Sequence, residues 1–359
     1  MSTITKAGIF TDIHFGRRGN EALHNQDCLD FITWFCARVQ DEQPSHVVFM
    51  GDWFECRNAL NIETMDYSYR GLKQLDALGI PVIFIVGNHD LHRRTTREVH
   101  SVSIFQELKN FTVVDQPKVI DGCLFSPFLF DHEYPSLAQY NHLDTWFGHF
   151  EFKGFAMTGY NMIMEHGPDP MLFKGPKQIF SGHFHKRQAS NNIVYIGNAF
   201  PMDMGDAGDN ARGCAFYDRT VNKTSFYDWA ECPKYLKVSI DDILVDKWEP
   251  KPKMKVRCII NNEVTYSQAQ ELKEALIIEY GLRDFILDEN RELKQGLLEG
   301  DTAKVTDVLD ATFDTIDELV VTQLKLAVED PLFKNTYNVD TLVSLYESLN
   351  VELKEGETA

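Results

Sequence analysis

The sequence contains little that would place the protein in a membrane or in an oxidising compartment. No apolar stretch approaches the roughly 18 residues of a transmembrane helix, and the opening MSTITKAGIFTD holds too short an apolar run for a signal peptide. The seven cysteines are an odd number and include no CxxC pair, which argues against a disulfide framework. We therefore expect a reduced, cytoplasmic protein that does not enter a membrane.

Positive charge is also scarce. The chain carries 35 Lys and Arg against 54 Asp and Glu, a formal net charge of −19 at pH 7. Residues 230–359 hold 27 of the acidic and 15 of the basic side chains, so both parts of the chain repel polyanions at long range. If the substrate is nucleic acid, a metal site or a basic partner has to supply the attraction.

The pattern of apolar residues in the first half is that of an α/β protein. Strand-like runs cover residues 7–13, 46–50 and 81–86, and helical spacing covers residues 21–40 and 63–78. This βαβαβ order favours a mostly parallel sheet covered by helices. Between residues 111 and 229 the runs are shorter and strand-like, which predicts a second set of strands packed on the first in an α/β sandwich.

Three segments are predicted along the chain. Residues 1–230 form the α/β sandwich, residues 231–295 a smaller α+β capping domain, and residues 296–359 a linker and a helical tail. The tail is acidic and carries two apolar stripes on either side of Asp330-Pro331. We interpret the stripes as helices that dock on a partner, with packing in the protein's own core as the alternative.

Five short polar motifs follow strand-like runs. They are Asp12-Ile13-His14, Gly51-Asp52, Gly87-Asn88-His89-Asp90, Gly148-His149 and Gly182-His183-Phe184-His185. Ligands of open α/β sheets bind beyond the carboxyl ends of the strands, so these side chains should converge on one rim. Any single motif is more often a turn or a structural histidine. Together, the carboxylates, amide and imidazoles form a mixed oxygen and nitrogen set suited to Mn, Fe or Zn.

In this order, the stretches TDIH, GDWFE, GNHD, GHFE and SGHFH resemble the motifs of the calcineurin-like metallophosphoesterases over residues 7–200. GNHD, GHFH and then YIGNAF are similar to the nuclease branch, the bacterial SbcD type. GDWFE, the length and the acidic tail are most similar to the small subunits of the recombination endonucleases of T-even-like phages.

The resemblance implies a DNA exonuclease or endonuclease that processes DNA ends for recombination, repair and replication. Its partner would be an SMC-like coiled-coil ATPase of the SbcC type, with the nuclease subunit a homodimer within the complex. For a phage protein, the location would be the cytoplasm of the infected host cell.

The resemblance also implies two divalent metal ions, for which we expect Mn²⁺, bridged by Asp52. One ion would be held by Asp12, His14 and His185, and the other by Asn88, His149 and His183. Two cations a few ångströms apart need a shared carboxylate to offset their repulsion, and Asp52 is the lone carboxylate at its strand end. His132 and His142 lie near His149 in sequence and are alternatives to it.

The GNHD motif can supply a ligand, an acid and a residue that orients the acid. Asn88 would bind metal without adding charge. His89 cannot easily bind the same ion as its neighbour, so we expect it to face the substrate and protonate the leaving sugar oxygen. Asp90 would accept a hydrogen bond from His89 and fix its tautomer. The ions would lower the pKa of a bridging water for in-line attack on phosphorus.

Several residues beside the motifs carry two interpretations. Arg17, Arg57 and Arg93 would contact phosphate at the rim, or they lie in solvated loops. Trp53 and Phe54 would stack on a base, although core packing is favoured. Many related nucleases have a histidine at the position of Glu55, so this position departs from the family pattern.

Two other functions compete with a DNA nuclease subunit. The acidic charge favours a stand-alone phosphatase or cyclic-nucleotide phosphodiesterase of the same superfamily, whereas the segments after residue 230 do not. A scaffold that only docks the ATPase is the third possibility, and the complete set of candidate ligands argues against it.

Overall fold

Two six-stranded sheets carry most of the described chain. The structure is a computed structural model that describes residues 3–157, 162–260 and 266–289, together with Thr341. In chain order the strands are β1 (Lys6–Phe10), β2 (His46–Phe49), β3 (Val82–Ile85), β4 (Leu91–Arg93), β5 (Thr96–His100), β6 (Phe111–Val114), β7 (Lys118–Ile120), β8 (Cys123–Ser126), β9 (Thr145–Gly148), β10 (Gln178–Ser181), β11 (Gln188–Ser190), β12 (Ile193–Tyr195), β13 (Gly213–Asp218), β14 (Lys223–Asp228), β15 (Lys234–Ser239), β16 (Met254–Ile260) and β17 (Asp284–Glu289). The helices are α1 (Arg17–Asn20), α2 (Ala22–Glu42), α3 (Ile62–Ala77), α4 (Ile240–Leu244) and α5 (Tyr266–Tyr280).

Both large sheets are mostly parallel. The first has the order β14-β13-β1-β2-β3-β6, in which β1, β2, β3 and β6 are parallel. The second has the order β11-β12-β10-β9-β8-β7, and its four inner strands are parallel. The predicted α/β sandwich with a second set of strands is therefore confirmed.

The two sheets pack face to face through apolar side chains. Val48 and Ile83 of the first sheet belong to one buried cluster with Phe147 and Phe180 of the second. The other face of the first sheet is covered by α2, whose Phe31 and other apolar side chains at helical spacing are fully buried. Buried on both faces, the central strands need apolar residues throughout, and this explains their uninterrupted apolar runs.

The topology brings the polar motifs to one rim. Because β1, β2 and β3 are parallel neighbours, the segments that follow them leave the first sheet at the same edge. The segments after β9 and β10 leave the second sheet at a common edge in the same way. The five motifs begin at these five strand ends.

A separate three-stranded sheet, β15-β16-β17, follows the sandwich. With α4 and α5 it encloses its own apolar cluster, which includes Trp248, Val256 and Phe285. Lys255 of β16 pairs with Glu21, the residue before α2, and Arg283, the residue before β17, pairs with Asp27 of α2. These four residues lie in the unit Met1–Asp288. The boundaries at residues 230 and 295 stay predictions.

The predicted helical tail, residues 296–359, lies outside the described residues except for Thr341. None of the helices in the described part of the chain has the length and apolar character needed to cross a membrane.

Candidate metal centre

The backbone at the rim adopts an uncommon conformation. Asp12, His14, Asp52 and His183 have positive φ angles of 50°, 51°, 61° and 87°. For residues other than glycine this left-handed conformation costs roughly 1–2 kcal/mol each. It is held by hydrogen bonds, since the amides of Ile13 and His14 both donate to the carbonyl of Asp52 at 3.1 Å. Such clustered strain is typical of a functional site.

Two glycines allow the motifs to approach one another closely. A Cβ atom on Gly51 would lie 2.3 Å from Nδ1 of His149, and one on Gly87 would lie 2.1 Å from Oδ1 of Asp52. These positions must stay without a side chain because the predicted ligands occupy the space.

Metal-ligating side chains meet at the rim in three overlapping groups. Within each group the candidate ligand atoms lie within 4.8 Å of one another, and the groups are Asp12, His14 and His185; His14, Asp52 and His89; and Asp52, His149 and His183. Oδ2 of Asp52 lies 3.9 Å from Nε2 of His14 and 3.3 Å from Nε2 of His149. Asp52 thus stands between the two predicted ligand sets, where a bridging ligand would have to be.

The first set consists of buried or largely buried groups whose ligand atoms face one another. The Nε2 atoms of His14 and His185 lie 3.2 Å apart, and each is 3.9 Å from Oδ1 of Asp12. Asp12 is fixed by the Thr11 hydroxyl, which donates to Oδ2 at 2.6 Å, and by the amide of His183. Two imidazole nitrogens and a carboxylate oxygen converge in the manner of ligands to one cation.

The second set shows why a cation fits this site. The amide oxygen of Asn88 lies 2.9 Å from Nε2 of His149 and 3.0 Å from Nδ1 of His183. A cation among these atoms would satisfy all three. Without one, the amide fits better in the opposite orientation, in which the two N–H groups have three acceptors within reach, the two rings and Asp52, and the oxygen accepts from Arg57.

His149 is oriented as a ligand. Its Nδ1 lies 2.7 Å from the carbonyl of Met50, so an Nδ1 proton donated there leaves Nε2 facing Asp52. Burial opposes a charge on this ring, but the Asp52 carboxylate raises the pKa of His149 to about 9. A metal ion would replace that proton. The alternatives lie elsewhere, since His142 is exposed and His132 stacks on Phe130.

The predicted role of Asp90 as the residue that orients His89 is wrong. Asp90 is fully buried, and its carboxylate accepts hydrogen bonds from the backbone amides of Asp52, Trp53, Phe54 and Gly87 at 2.9–3.2 Å. Nδ1 of His89 instead lies 3.0 Å from the carbonyl of Glu55. The carboxylate turns inward because these buried amides need an acceptor. Burial, together with the charge of Asp52, raises the pKa of Asp90 to about 7.

The three predicted phosphate contacts occupy different environments. Arg17 is largely buried and pairs with Glu55 at 3.3 Å and Asp203 at 3.0 Å, so its guanidinium is directed at carboxylates of the protein. Arg57 is half-buried, and Arg93 is exposed at the end of β4.

The two aromatic side chains of GDWFE lie in the core, as the sequence analysis favoured. Trp53 is fully buried, and its Nε1–H donates to the hydroxyl of Ser68 at 2.7 Å. Phe54 belongs to the same buried cluster.

Sequence reasoning missed the contribution of Glu55. Its Oε2 lies 2.7 Å from Nδ1 of His14, and Arg17 links it to Asp203. The acidic residue three positions after Asp52 was a usable signal, because the GDWFE motif places it near the rim. Nothing in the sequence connects Asp203 with Arg17, which is 186 positions away.

Comparison of the sequence with known proteins identifies a family. The sequence profile of the calcineurin-like phosphoesterases matches residues 5–187. Exonuclease subunit 1 of Enterobacteria phage T4 is 32% identical over 186 residues, which are 49% of this chain and 53% of that protein. The match thus spans about half the length of the relative.

Two solved structures are similar at low scores. A dimetal phosphatase from Danio rerio has 11% identity and a TM-score of 0.35, covering 60% of this chain and 92% of that one. The nuclease MPE of Pseudomonas putida has 13% identity and a TM-score of 0.29, covering 59% and 83%.

The family profile spans just over half of the chain and includes all five polar motifs. The resemblance inferred from those motifs is confirmed. The chain belongs to the calcineurin-like phosphoesterase family, which binds dimetal centres.

Proposed function

We propose that the protein is a metal-dependent DNA nuclease that hydrolyses phosphodiester bonds as a subunit of a complex with an SMC-like ATPase. The observation that carries this proposal is the convergence of six further candidate ligands around Asp52, at the strand ends of a calcineurin-like phosphoesterase. The name of the phage relative, an exonuclease subunit, supports a nucleic acid as the substrate and a complex as the working form.

The proposed ligands form two sets joined by Asp52. Asp12, His14 and His185 would hold one divalent ion, and Asn88, His149 and His183 the other. We propose Mn²⁺, because the set mixes carboxylate, amide and imidazole donors. When bound, the ions would activate a water molecule and neutralise charge on the phosphate oxygens.

His89 is the proposed proton donor to the leaving sugar oxygen. Its amide donates to Oδ1 of Asp52 at 2.8 Å, which fixes the segment against the bridging carboxylate. Because Nδ1 faces the carbonyl of Glu55, Nε2 is the nitrogen that can hold a proton for the substrate. The side chain is 29% exposed, so a bound substrate can reach it.

Arg57 and Arg93 are the proposed contacts to the DNA backbone. Arg57 lies beside Asn88, and Arg93 is exposed on the segment that follows the GNHD motif. On a chain with a net charge of −19, local cations and bound metal would have to offset the repulsion of phosphate. Arg17 is assigned to the protein's own carboxylates instead.

The partner would be an SMC-like ATPase of the SbcC type in the cytoplasm of the cell. The acidic, apolar-striped segment at residues 296–359 is its proposed docking element, and a basic partner surface would also provide the cationic field that this chain lacks. A chain that ends at residue 300 should hydrolyse a small phosphodiester at the full-length rate but fail to co-purify with the ATPase. Native affinity for the ATPase would refute the docking role.

A homodimer within the complex is supported by an exposed apolar row on α3. Ile62, Met65 and Tyr69 follow helical spacing and are 86%, 46% and 57% exposed. Burial of these side chains against a second copy would be favourable. Sedimentation of the full chain should show a dimer that Met65→Glu weakens, whereas a monomeric wild-type protein would exclude this arrangement.

The test of the nuclease proposal is Mn²⁺-dependent release of nucleotides from linear duplex DNA, with and without the co-purified ATPase. A matched Asp52→Asn protein controls for contaminating nucleases. The acidic charge keeps a second function open, a stand-alone phosphatase or cyclic-nucleotide phosphodiesterase. Hydrolysis of phosphomonoesters or cyclic nucleotides, with duplex DNA left intact even when the ATPase is present, would select that function.

A further inference from the structure

We propose that Glu55 is a positioning residue of the metal centre, which holds the ring of His14 with Nε2 toward the metal and also fixes the ring of His89. The inference rests on the proposed metal centre and adds to it a residue outside the proposed ligand set.

The side chain of Glu55 orients His14. Oε2 of Glu55 lies 2.7 Å from Nδ1 of His14, while Nε2 of His14 faces Nε2 of His185 at 3.2 Å. The two atoms are at ion-pair distance, although their orientation is not that of a hydrogen bond. A small rotation that lets Nδ1–H donate to the carboxylate would leave the lone pair of Nε2 for the metal. The side chain of His14 is only 1% exposed, so water does not readily replace Glu55 as the acceptor.

The main chain of Glu55 orients His89. Its carbonyl oxygen lies 3.0 Å from Nδ1 of His89, and the amide of the same residue donates to the carbonyl of Phe15 at 3.0 Å. The rings of His14 and His89 meet edge to face, with centroids 4.9 Å apart. One residue therefore faces both rings. Its carboxylate is nearest to His14, whereas its carbonyl is nearest to His89, from whose Nδ1 the carboxylate Oε2 is 3.9 Å away.

Arg17 and Asp203 hold the carboxylate of Glu55 in place. Nη1 of Arg17 lies 3.3 Å from both oxygens of Glu55, and Nη2 lies 3.0 Å from Oδ2 of Asp203. Asp203 is itself held in place, because its Oδ1 accepts a hydrogen bond from the amide of Gly205 at 2.8 Å. Glu55 thus has its carboxylate committed to His14 and Arg17, and this arrangement favours positioning over contact with substrate.

The test is Mn²⁺ binding to the full chain by calorimetry, with thermal unfolding recorded for every variant. Glu55→Ala should lower the affinity for one of the two ions by about 10- to 100-fold, the usual effect of losing a partner of a metal ligand. The affinity for the other ion should stay unchanged. Glu55→Gln should lower this affinity less than Glu55→Ala does, because the amide oxygen of the glutamine can still accept a hydrogen bond from Nδ1–H of His14. Glu133→Ala is the matched control, since Glu133 pairs with Arg97 at similar exposure and contacts none of the proposed ligands in the described structure.

The outcomes separate positioning from a merely structural role. Wild-type affinity for both ions in Glu55→Ala would overturn the inference. So would a loss of both ions that follows a lowered melting temperature, or the same selective loss in Glu133→Ala. If the wild-type chain binds no Mn²⁺, the proposed metal centre itself fails and the inference falls with it. Selective loss of one ion, smaller in Glu55→Gln, is the expected result.

Discussion

The metal rim and the joint between α2 and the capping sheet use acidic residues in opposite ways. In the joint, each acid meets a base: Asp27 pairs with Arg283, Asp30 with Lys253 and Glu21 with Lys255. At the rim, the buried Asp12 and Asp52 face histidine rings and an amide. The joint balances its charges within the protein, whereas the rim needs protons or cations to balance them.

This difference separates groups that stabilise the fold from groups kept for chemistry. A buried charge with an ion-pair partner contributes to stability or is neutral, and removal of its partner is costly. A buried carboxylate without such a partner, next to strained backbone, costs stability and persists where function requires it. We therefore expect substitutions at the rim to change metal binding and rate, and substitutions in the joint to change stability.

Asp52→Asn should have the largest effect. The bridging carboxylate would serve both ions, so hydrolysis of bis-p-nitrophenyl phosphate should fall by more than about 100-fold, beyond the usual effect of losing a partner of a ligand. Elemental analysis should show loss of bound metal. Asp30→Asn in the joint is the matched control and should keep both metal and rate. Two retained ions in Asp52→Asn would contradict the assignment.

His89→Ala should act on rate without releasing metal. A general acid typically raises the reaction rate by about 10²- to 10⁴-fold, so the rate of DNA cleavage should decrease by a factor in that range. A p-nitrophenolate leaving group needs no proton, and its release should fall much less. The measurement is the ratio of the two losses, with metal content as the control. Equal losses on both substrates would indicate that His89 acts as a ligand or a structural residue.

The rim could be located from the sequence, but its internal contacts could not. Apolar runs that end in Asp, Asn or His indicated the strand ends, because a buried parallel strand has an unmistakable composition. The same motifs gave no sign that Asp90 would turn toward the amides of Trp53 and Phe54, since this depends on how two loops approach in space. The capping sheet was recognisable as α+β from its runs, yet its pairing with α2 joins residues hundreds of positions apart.

Asp90→Ala should show that one acid of the rim does stabilise the fold. Four backbone amides would lose their acceptor, and each unsatisfied buried group costs about 1–3 kcal/mol, so the free energy of unfolding should fall by at least about 3 kcal/mol. Urea titration of the metal-free protein measures this. A change within the roughly 0.5 kcal/mol expected of a surface substitution would show that the amides find other acceptors.

Arg283→Met should produce the smallest change in activity while still destabilising the protein. Asp27 is 2% exposed, and without the guanidinium it becomes an uncompensated buried charge, which costs about 3 kcal/mol. Metal content and hydrolysis of a small diester should stay at wild-type values. Asp27→Leu combined with Arg283→Met should recover most of the stability, because the pair is then removed together.

The control is Lys253→Met in the neighbouring ion pair. The side chains of Lys253 and Asp30 are 39% and 37% exposed, and such pairs contribute less than about 1 kcal/mol. If Arg283→Met lowered metal affinity instead, the joint and the rim would be coupled, and the separation between them would not hold.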